Sequence, residues 1–210
     1  MQRVKATAMP GVPTMFQGLL DHPSMARTDF SSLFTCISGG APLSASLKRQ
    51  FERGSGAKLV EGYGLTEAAG VVATNPFDGR EGPGSIGHPL PGTDLRLLDK
   101  EDPQRDAAPD EPGELAVSGP QVMLGYWNRP EAAAEAFVER DGTRWLRTGD
   151  IATIDEDGYV CIVDRAKDMI AVSGFKVFPS QIEQVLLDHP DVKEIALKGI
   201  GTKTLLRNIR

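Results

Sequence analysis

Apolar and polar positions follow two different periods along this chain. Residues 32–37, Ser-Leu-Phe-Thr-Cys-Ile, form a short apolar run with β-forming side chains, long enough for one buried strand. Ser38-Gly-Gly-Ala-Pro42 follows as a flexible turn, with Pro42 suited to the first turn of a helix. Leu43, Leu47 and Phe51 recur at i, i+4 and i+8, which predicts one apolar helix face. Gly54 and Gly56 close that helix, and Lys58-Leu-Val60 opens another strand. Strand, helix, strand is the βαβ rhythm of an α/β sheet. A second Gly-rich turn is expected at Glu61-Gly-Tyr-Gly-Leu-Thr-Glu67, and residues 76–92 hold too much Gly and Pro for a long regular element.

Past residue 92 the elements become short strands. Asp94-Leu-Arg-Leu-Leu98, Gly113-Glu-Leu-Ala-Val-Ser118 and Gly158-Tyr-Val-Cys-Ile-Val163 predict strands separated by turns. Asp157-Gly158, between Ile151-Ala-Thr-Ile154 and Tyr159-Val-Cys-Ile-Val163, signals a hairpin. Asn128, Pro130 and Glu131 ahead of an Ala-rich run to Phe137 predict the helix that interrupts these strands. Residues 164–168 are charged, as a joint would be. Met169-Ile-Ala-Val172 and Lys176-Val177 bracket Ser173-Gly174 as a hairpin. Ser180 with Glu183 makes a capping-box pattern, Ile182, Val185 and Leu186 make an apolar stripe, and residues 192–197 predict a last strand. The expected organisation is an α/β piece over 1–92, a β-rich, barrel-like piece over 93–163, a joint at 164–168 and a short α+β tail over 169–210.

Composition narrows the classes. A chain of 210 residues with 40% hydrophobic and 25% charged residues is an ordinary globular one, neither disordered nor fibrous. Lys and Arg number 23 against 29 Asp and Glu, a net charge of −6, which argues against a surface built to grip nucleic acid. Cys36 and Cys161 lie far apart, in neither a disulfide framework nor a metal-ligand spacing, and suit a reducing cytoplasm. His22, His88 and His189 lie near prolines and read as loop residues rather than zinc ligands. No run approaches 18 apolar residues, so no membrane span is expected, and the first residues lack an apolar core of signal-peptide length.

Three segments carry candidate chemistry. Gly62 and Gly64 flank Tyr63, which lets backbone approach a flat ligand stacked on the ring. Thr66 offers a hydroxyl and Glu67 a hard oxygen ligand, a pair that suits phosphate with Mg²⁺. The same segment also reads as a surface turn whose Thr and Glu start a helix. In Trp145-Leu-Arg-Thr-Gly-Asp150, the carboxylate after Thr-Gly can accept from two vicinal hydroxyls, as on a ribose, or serve as a plain turn residue. In Asp164-Arg-Ala-Lys-Asp168, Arg165 can offer its planar fork to phosphate or hydroxyl oxygens, or belong to a solvated linker.

Taken together and in order, these blocks resemble the adenylate-forming superfamily, which includes acyl-CoA synthetases, luciferases and peptide-synthetase adenylation domains. The resemblance rests on Val12-Pro-Thr-Met-Phe16, Ser38-Gly-Gly-Ala-Pro-Leu43, Tyr63-Gly-Leu-Thr-Glu67, Gly84-Ser-Ile-Gly-His-Pro-Leu-Pro-Gly92, Gly113-Glu-Leu115 with Gly125-Tyr-Trp127, Arg147-Thr-Gly-Asp150, and Asp164-Arg-Ala-Lys-Asp-Met-Ile170 with Ser173-Gly174 and Ile182-Glu183. It covers roughly residues 10 to 195, and its wording is most like a long- or medium-chain fatty acid CoA ligase. It implies the later part of a large adenylating domain, a sheet piece plus a distorted barrel, followed by a small α+β domain. It also implies a two-step reaction: a fatty acid carboxylate attacks the α-phosphate of ATP, and the thiol of CoA then displaces AMP from the acyl-adenylate.

By matching position, Gly39, Gly40, Ala41 and Pro42 would line the adenine and ribose side. Tyr63, between Gly62 and Gly64, would stack on adenine. Thr66 would touch phosphate and Glu67 would hold Mg²⁺. Asp150 would bind the ribose hydroxyls, with Arg165 on the same nucleotide. Lys167 falls at the family's hinge, Gly174 where the pantetheine arm of CoA passes, and Lys203 at the lysine that contacts the reacting carboxylate. The residues from Val12 would help line the acyl pocket. Fatty substrates leave peripheral membrane attachment open, and the sequence does not specify an oligomeric state. The family's upstream Ser/Thr/Gly-rich phosphate loop has no counterpart in these 210 residues, and the C-terminal domain is short. The chain therefore reads as a fragment whose strand at 32–37 lacks sheet neighbours. Two functional expectations follow: an acid–thiol ligase by lineage, or a remnant that binds a nucleotide or a partner without catalysing adenylation.

Overall fold

The computed structural model of the protein describes residues 2–77, 84–172, 175–187, 189, 192, 195–200 and 203–207. They gather into two units. The first comprises Met1–Leu95, Val117–Glu135 and Ile154–Cys161; the second comprises Arg96–Ala116, Ala136–Thr153 and Ile162–Arg210.

The first unit is built on a parallel trio of strands. β1 (Ala8–Gly11) leads through α1 (Pro13–Leu20) to β2 (Thr35–Ser38), and α2 (Ala45–Ser55) leads to β3 (Lys58–Leu65). Cys36 is level with Met9 on one side and Leu59 on the other, so β2 has a neighbour on both edges. The expectation that its neighbours are missing is corrected: residues 8–11 supply one of them. β4 (Gly70–Thr74) returns antiparallel to β3, and β5 (Ser85–Pro89) runs antiparallel to β4.

α2 forms where the apolar period places it. Ser44 caps its start, its hydroxyl accepting from the Leu47 amide at 3.2 Å, and Gly56 ends it. Pro42 therefore lies ahead of the helix, not in its first turn. Leu47 and Phe51 point into a core with Phe16, Phe30, Leu33, Cys36 and Leu59. The Phe51 ring meets Phe16 edge-on at 5.0 Å. Burial pushes the Cys36 thiol up to about 11, consistent with a side chain that packs as a small hydrophobe.

Two other readings are corrected here. Of the Gly-rich segment expected to turn at 61–67, residues 61–65 are the second half of β3 and only Thr66 and Glu67 leave the strand. A Cβ on Gly64 would overlap the Gly70 carbonyl of β4, so the glycine serves close strand approach. His88, expected in a loop, lies in β5 with its ring 4.1 Å from that of Tyr159 and its Nδ1 3.1 Å from the Gly158 carbonyl oxygen.

In the second unit, β6 (Asp94–Leu98), β7 (Gly113–Ser118), β9 (Thr143–Ile154) and β10 (Val160–Arg165) lie in the order β10-β9-β7-β6. α3 (Pro130–Ala136) precedes β8 (Phe137–Arg140), which pairs antiparallel with β9. Leu98, Ala116, Val138 and Trp145 form this unit's core. β11 (Ile170–Val172) and β12 (Phe175–Val177) make the expected hairpin, and α4 (Pro179–Leu187) follows. The strand read at 192–197 begins only at Ala196, as β13 (Ala196–Ile200), and it is not the last. β14 (Lys203–Arg207) pairs back onto it, Leu197 level with Leu206.

Candidate functional site

In the first unit the candidate residues sit at the ends of β2 and β3. Gly39 leaves β2 with its amide donating to the Gly11 carbonyl at 3.0 Å, and Gly40, Ala41 and Pro42 continue as an exposed turn. The Leu43 amide, at the end of that turn, donates to Oε1 of Glu61 at 3.3 Å. Burial is the main cause that pushes the Glu61 carboxyl up, to about 7; the Leu43 amide and Lys48 oppose it. Gly62, Tyr63 and Gly64 occupy β3, and Thr66 and Glu67 open the short 3-10 turn that follows it. Glu67 is half-buried. Its Oε1 accepts from the Tyr126 hydroxyl at 2.8 Å, and its carbonyl accepts from the Met123 amide at 2.7 Å.

In the second unit β9 carries Asp150 next to a left-handed kink at Gly149. Gly149 has φ +73°, a left-handed conformation that glycine adopts without strain. The Thr148 hydroxyl donates to the Leu115 carbonyl at 2.8 Å and accepts from the Asp150 amide at 3.1 Å. Asp150 is 6% exposed, and its Oδ1 meets Arg165 Nε at 2.9 Å. The Ala166 amide donates to the Gly149 carbonyl at 2.8 Å. Asp164 is buried: Oδ1 accepts from the Arg165 amide at 2.8 Å and Oδ2 from the Ser180 amide in the first turn of α4 at 3.0 Å. The charged joint thus begins as the end of β10 (Val160–Arg165), and past the buried Asp164 residues 165–168 are exposed. A cavity of about 420 Å³ opens here, lined by Lys100, Glu114, Arg147, Arg165 and Lys167 among others. Four of those five side chains are cationic, of which Arg147 is paired to Glu114 and Arg165 to Asp150.

Of the sequence-derived residues, the structure brings Asp150 together with Arg165, and sets Lys167 with Arg165 on the lining of the cavity. Lys203 opens β14, in register with Ile200. Gly174 lies outside the described residues. Among the described residues no three His, Cys, Asp or Glu side chains cluster as a metal cage would require. No helix among them is long and apolar enough to cross a membrane.

Residues 1–127 match the model of the AMP-binding enzyme family. The chain belongs to that family. It is 48% identical over 194 residues to the long-chain-fatty-acid–CoA ligase of Escherichia coli O157:H7, which covers 92% of this chain and 34% of that protein. Among solved structures it is similar to ATP-bound MatB from Rhodopseudomonas palustris, with a TM-score of 0.80 and 37% identity, over 94% of this chain and 38% of MatB. It is also similar to the O-succinylbenzoate coenzyme A synthetase MenE from Bacillus subtilis in complex with ATP and magnesium ion, with a TM-score of 0.81 and 30% identity, over 98% of this chain and 41% of MenE. The chain thus spans about a third of the length of the curated relative it matches. The mixed α/β architecture is that of a piece of an adenylate-forming AMP-binding enzyme.

Sequence reasoning left three site residues of this AMP-binding family member without a role: Glu114, Arg147 and Tyr126. For Glu114 a signal exists. It is a carboxylate inside the strand Gly-Glu-Leu-Ala-Val-Ser, of which residues 113–117 are all buried, so it must find a partner.

Proposed function

We propose that this chain carries nucleotide-binding elements of an ATP-dependent fatty acid–CoA ligase. One observation carries the reading: a buried carboxylate, Asp150, is ion-paired to Arg165 beside a cation-lined cavity. A carboxylate held there accepts from the vicinal hydroxyls of a ribose, and the guanidinium and Lys167 offer charge to phosphate. The identity to a protein named as a long-chain-fatty-acid–CoA ligase supports the acyl class.

In this reading a fatty acid carboxylate oxygen attacks the α-phosphorus of ATP, and the bond to the β-phosphate breaks to release pyrophosphate. The CoA thiol then attacks the acyl carbon, forming the thioester and releasing AMP. The turn at 39–42 lines the adenine and ribose, Tyr63 stacks on adenine and Thr66 touches phosphate. Residues 164–168 act as the hinge about Lys167.

Glu67 and Thr66 fit Mg²⁺ by their chemistry. That ion is commonly held by one or two carboxylates, with phosphate oxygens and water completing its shell, so a single carboxylate outside any cage suffices. Tyr126 takes one Glu67 oxygen and leaves the other for the cation. Bound there, the ion neutralises charge on the transferring phosphate.

Calorimetry with AMP tests the site. The wild-type chain binds AMP, and Asp150→Ala weakens binding about tenfold or more, the scale of losing charge-assisted hydrogen bonds. No AMP binding by the wild type overturns the nucleotide reading, and unchanged affinity in Asp150→Ala removes Asp150 from it. Pyrophosphate release with ATP, Mg²⁺ and a fatty acid separates a ligase from a chain that only binds nucleotide.

A further inference from the structure

Glu114 is 6% exposed in β7, and its carboxylate is fully engaged. Oε2 accepts from Arg147 Nε at 3.0 Å and Nη2 at 2.6 Å, and Oε1 accepts from the Gly149 amide at 3.2 Å. One side chain therefore binds two residues of the four-residue stretch of β9 that ends in Asp150. Thr148, between them, is tied to the neighbouring Leu115 carbonyl. From the other direction Ala166 and Arg165 bond to Gly149 and Asp150. The stretch is clamped, with Glu114 on one side and the start of the charged joint on the other.

We propose that Glu114 is a positioning residue. Through Arg147 and the Gly149 amide it fixes the left-handed kink that sets the Asp150 carboxylate against Arg165. Glu114 does not touch that ion pair, so its effect is transmitted by the backbone of residues 147–150. A buried charge is retained at the cost of desolvation only when its partners are complete, as they are here. The functional side of the proposal rests on the nucleotide reading of Asp150; the geometric side does not.

Glu114→Gln tests it while keeping the side chain's shape. A Gln has one acceptor oxygen, so it cannot receive both Arg147 and the Gly149 amide. Amide hydrogen exchange on the 210-residue chain is the first readout. Exchange at Gly149 and Ala166 is expected to accelerate about tenfold, the scale of one lost buried hydrogen bond. Amides of β8, which pairs with residues 143–146 of β9, are expected to keep their rates. Unchanged rates at Gly149 and Ala166 overturn the proposal, and so does uniform acceleration along the chain, which marks a stabilising role only. If Glu114→Gln does not fold, Arg147→Lys asks the same question, because an ammonium cannot make the two-pronged contact.

AMP affinity by calorimetry is the second readout. Glu114→Gln is expected to have a lower urea midpoint, because a buried ion pair is lost, and to bind AMP several-fold more weakly at temperatures where it is still fully folded. Wild-type affinity in that variant overturns the functional side. If the wild type does not bind AMP yet exchange responds as described, the nucleotide reading falls and the positioning of Asp150 against Arg165 stands.

Discussion

The Tyr126 hydroxyl donates to Oε1 of Glu67 at 2.8 Å across 59 positions of sequence. With the Met123 amide on the Glu67 carbonyl at 2.7 Å, one segment holds both the side chain and the backbone of this acidic residue. A hydrogen bond to an ionised carboxylate is strong enough to choose the direction in which that carboxylate points. The tie therefore orients the oxygen that we assign to a cation.

Tyr126→Phe removes only the hydroxyl. Tyr126 is 39% exposed, so the unfolding midpoint is expected to stay near wild type. Affinity for ATP with Mg²⁺ is expected to fall about threefold, the lower end of what one such bond contributes. Affinity for AMP in the presence of EDTA is expected to hold. Calorimetry under the two conditions checks this, and equal losses in both would place the tyrosine on the nucleotide rather than on the carboxylate.

Glu61 makes stability depend on pH. Burial raises its carboxyl from an ordinary 4.5 to about 7 in the folded chain. The unfolded chain thus releases its proton at lower pH than the folded one. The contribution is fully present below pH 4.5 and is lost as pH rises towards 7. Each pKa unit is worth about 1.4 kcal/mol, so the loss is on the order of 3 kcal/mol. Urea midpoints measured between pH 5 and pH 8 should fall in the wild type and flatten in Glu61→Gln, whose amide oxygen can still accept from Leu43. A wild-type profile as flat as the variant's would show that the carboxyl is solvated.

Much of the first unit is legible because its signal is periodic. Leu47 and Phe51, four apart, are buried where the apolar stripe puts them, and Ser44 supplies the cap. Gly62 and Gly64 misled because glycine marks a turn and a close strand approach alike, and only the neighbouring strand decides between them. His88 misled in a similar way: its prolines suggested a loop, yet its strand ends at Pro89. For the site, Asp150 and Arg165 could each be picked out by chemistry, but nothing local says that they pair. The clamp on Asp150 was hidden by distance, since Glu114 and Arg147 lie 33 positions apart and meet only once β7 and β9 are neighbours.

Phe51→Ala should be among the costliest substitutions in the first unit. The ring is fully buried and meets both Phe16 and Phe30 edge-on, at 5.0 and 6.5 Å. Truncation loses the apolar burial and leaves a cavity that a sheet-backed core cannot easily collapse, about 3–5 kcal/mol in comparable cases. Urea denaturation followed by circular dichroism measures it. A loss below about 1 kcal/mol, the scale of an ordinary surface or single-bond change, would mean that the α2 face is not packed as described.

Gly149→Ala separates backbone strain from packing. A Cβ at this position would have nothing within 4 Å, so no clash is introduced. The cost comes from the left-handed conformation at φ +73°, about 1–2 kcal/mol for a residue with a Cβ. Relaxing that strain would rotate the two peptides that flank this residue, one whose N–H donates to Glu114 and one whose carbonyl accepts from Ala166. The variant should therefore lose that much stability in urea and also bind AMP more weakly than its stability loss alone explains. Since Asp150 keeps its side chain in Gly149→Ala, weaker binding must come from where the carboxylate is held. Full AMP affinity alongside the expected loss of stability would show that the kink tolerates the shift without moving Asp150.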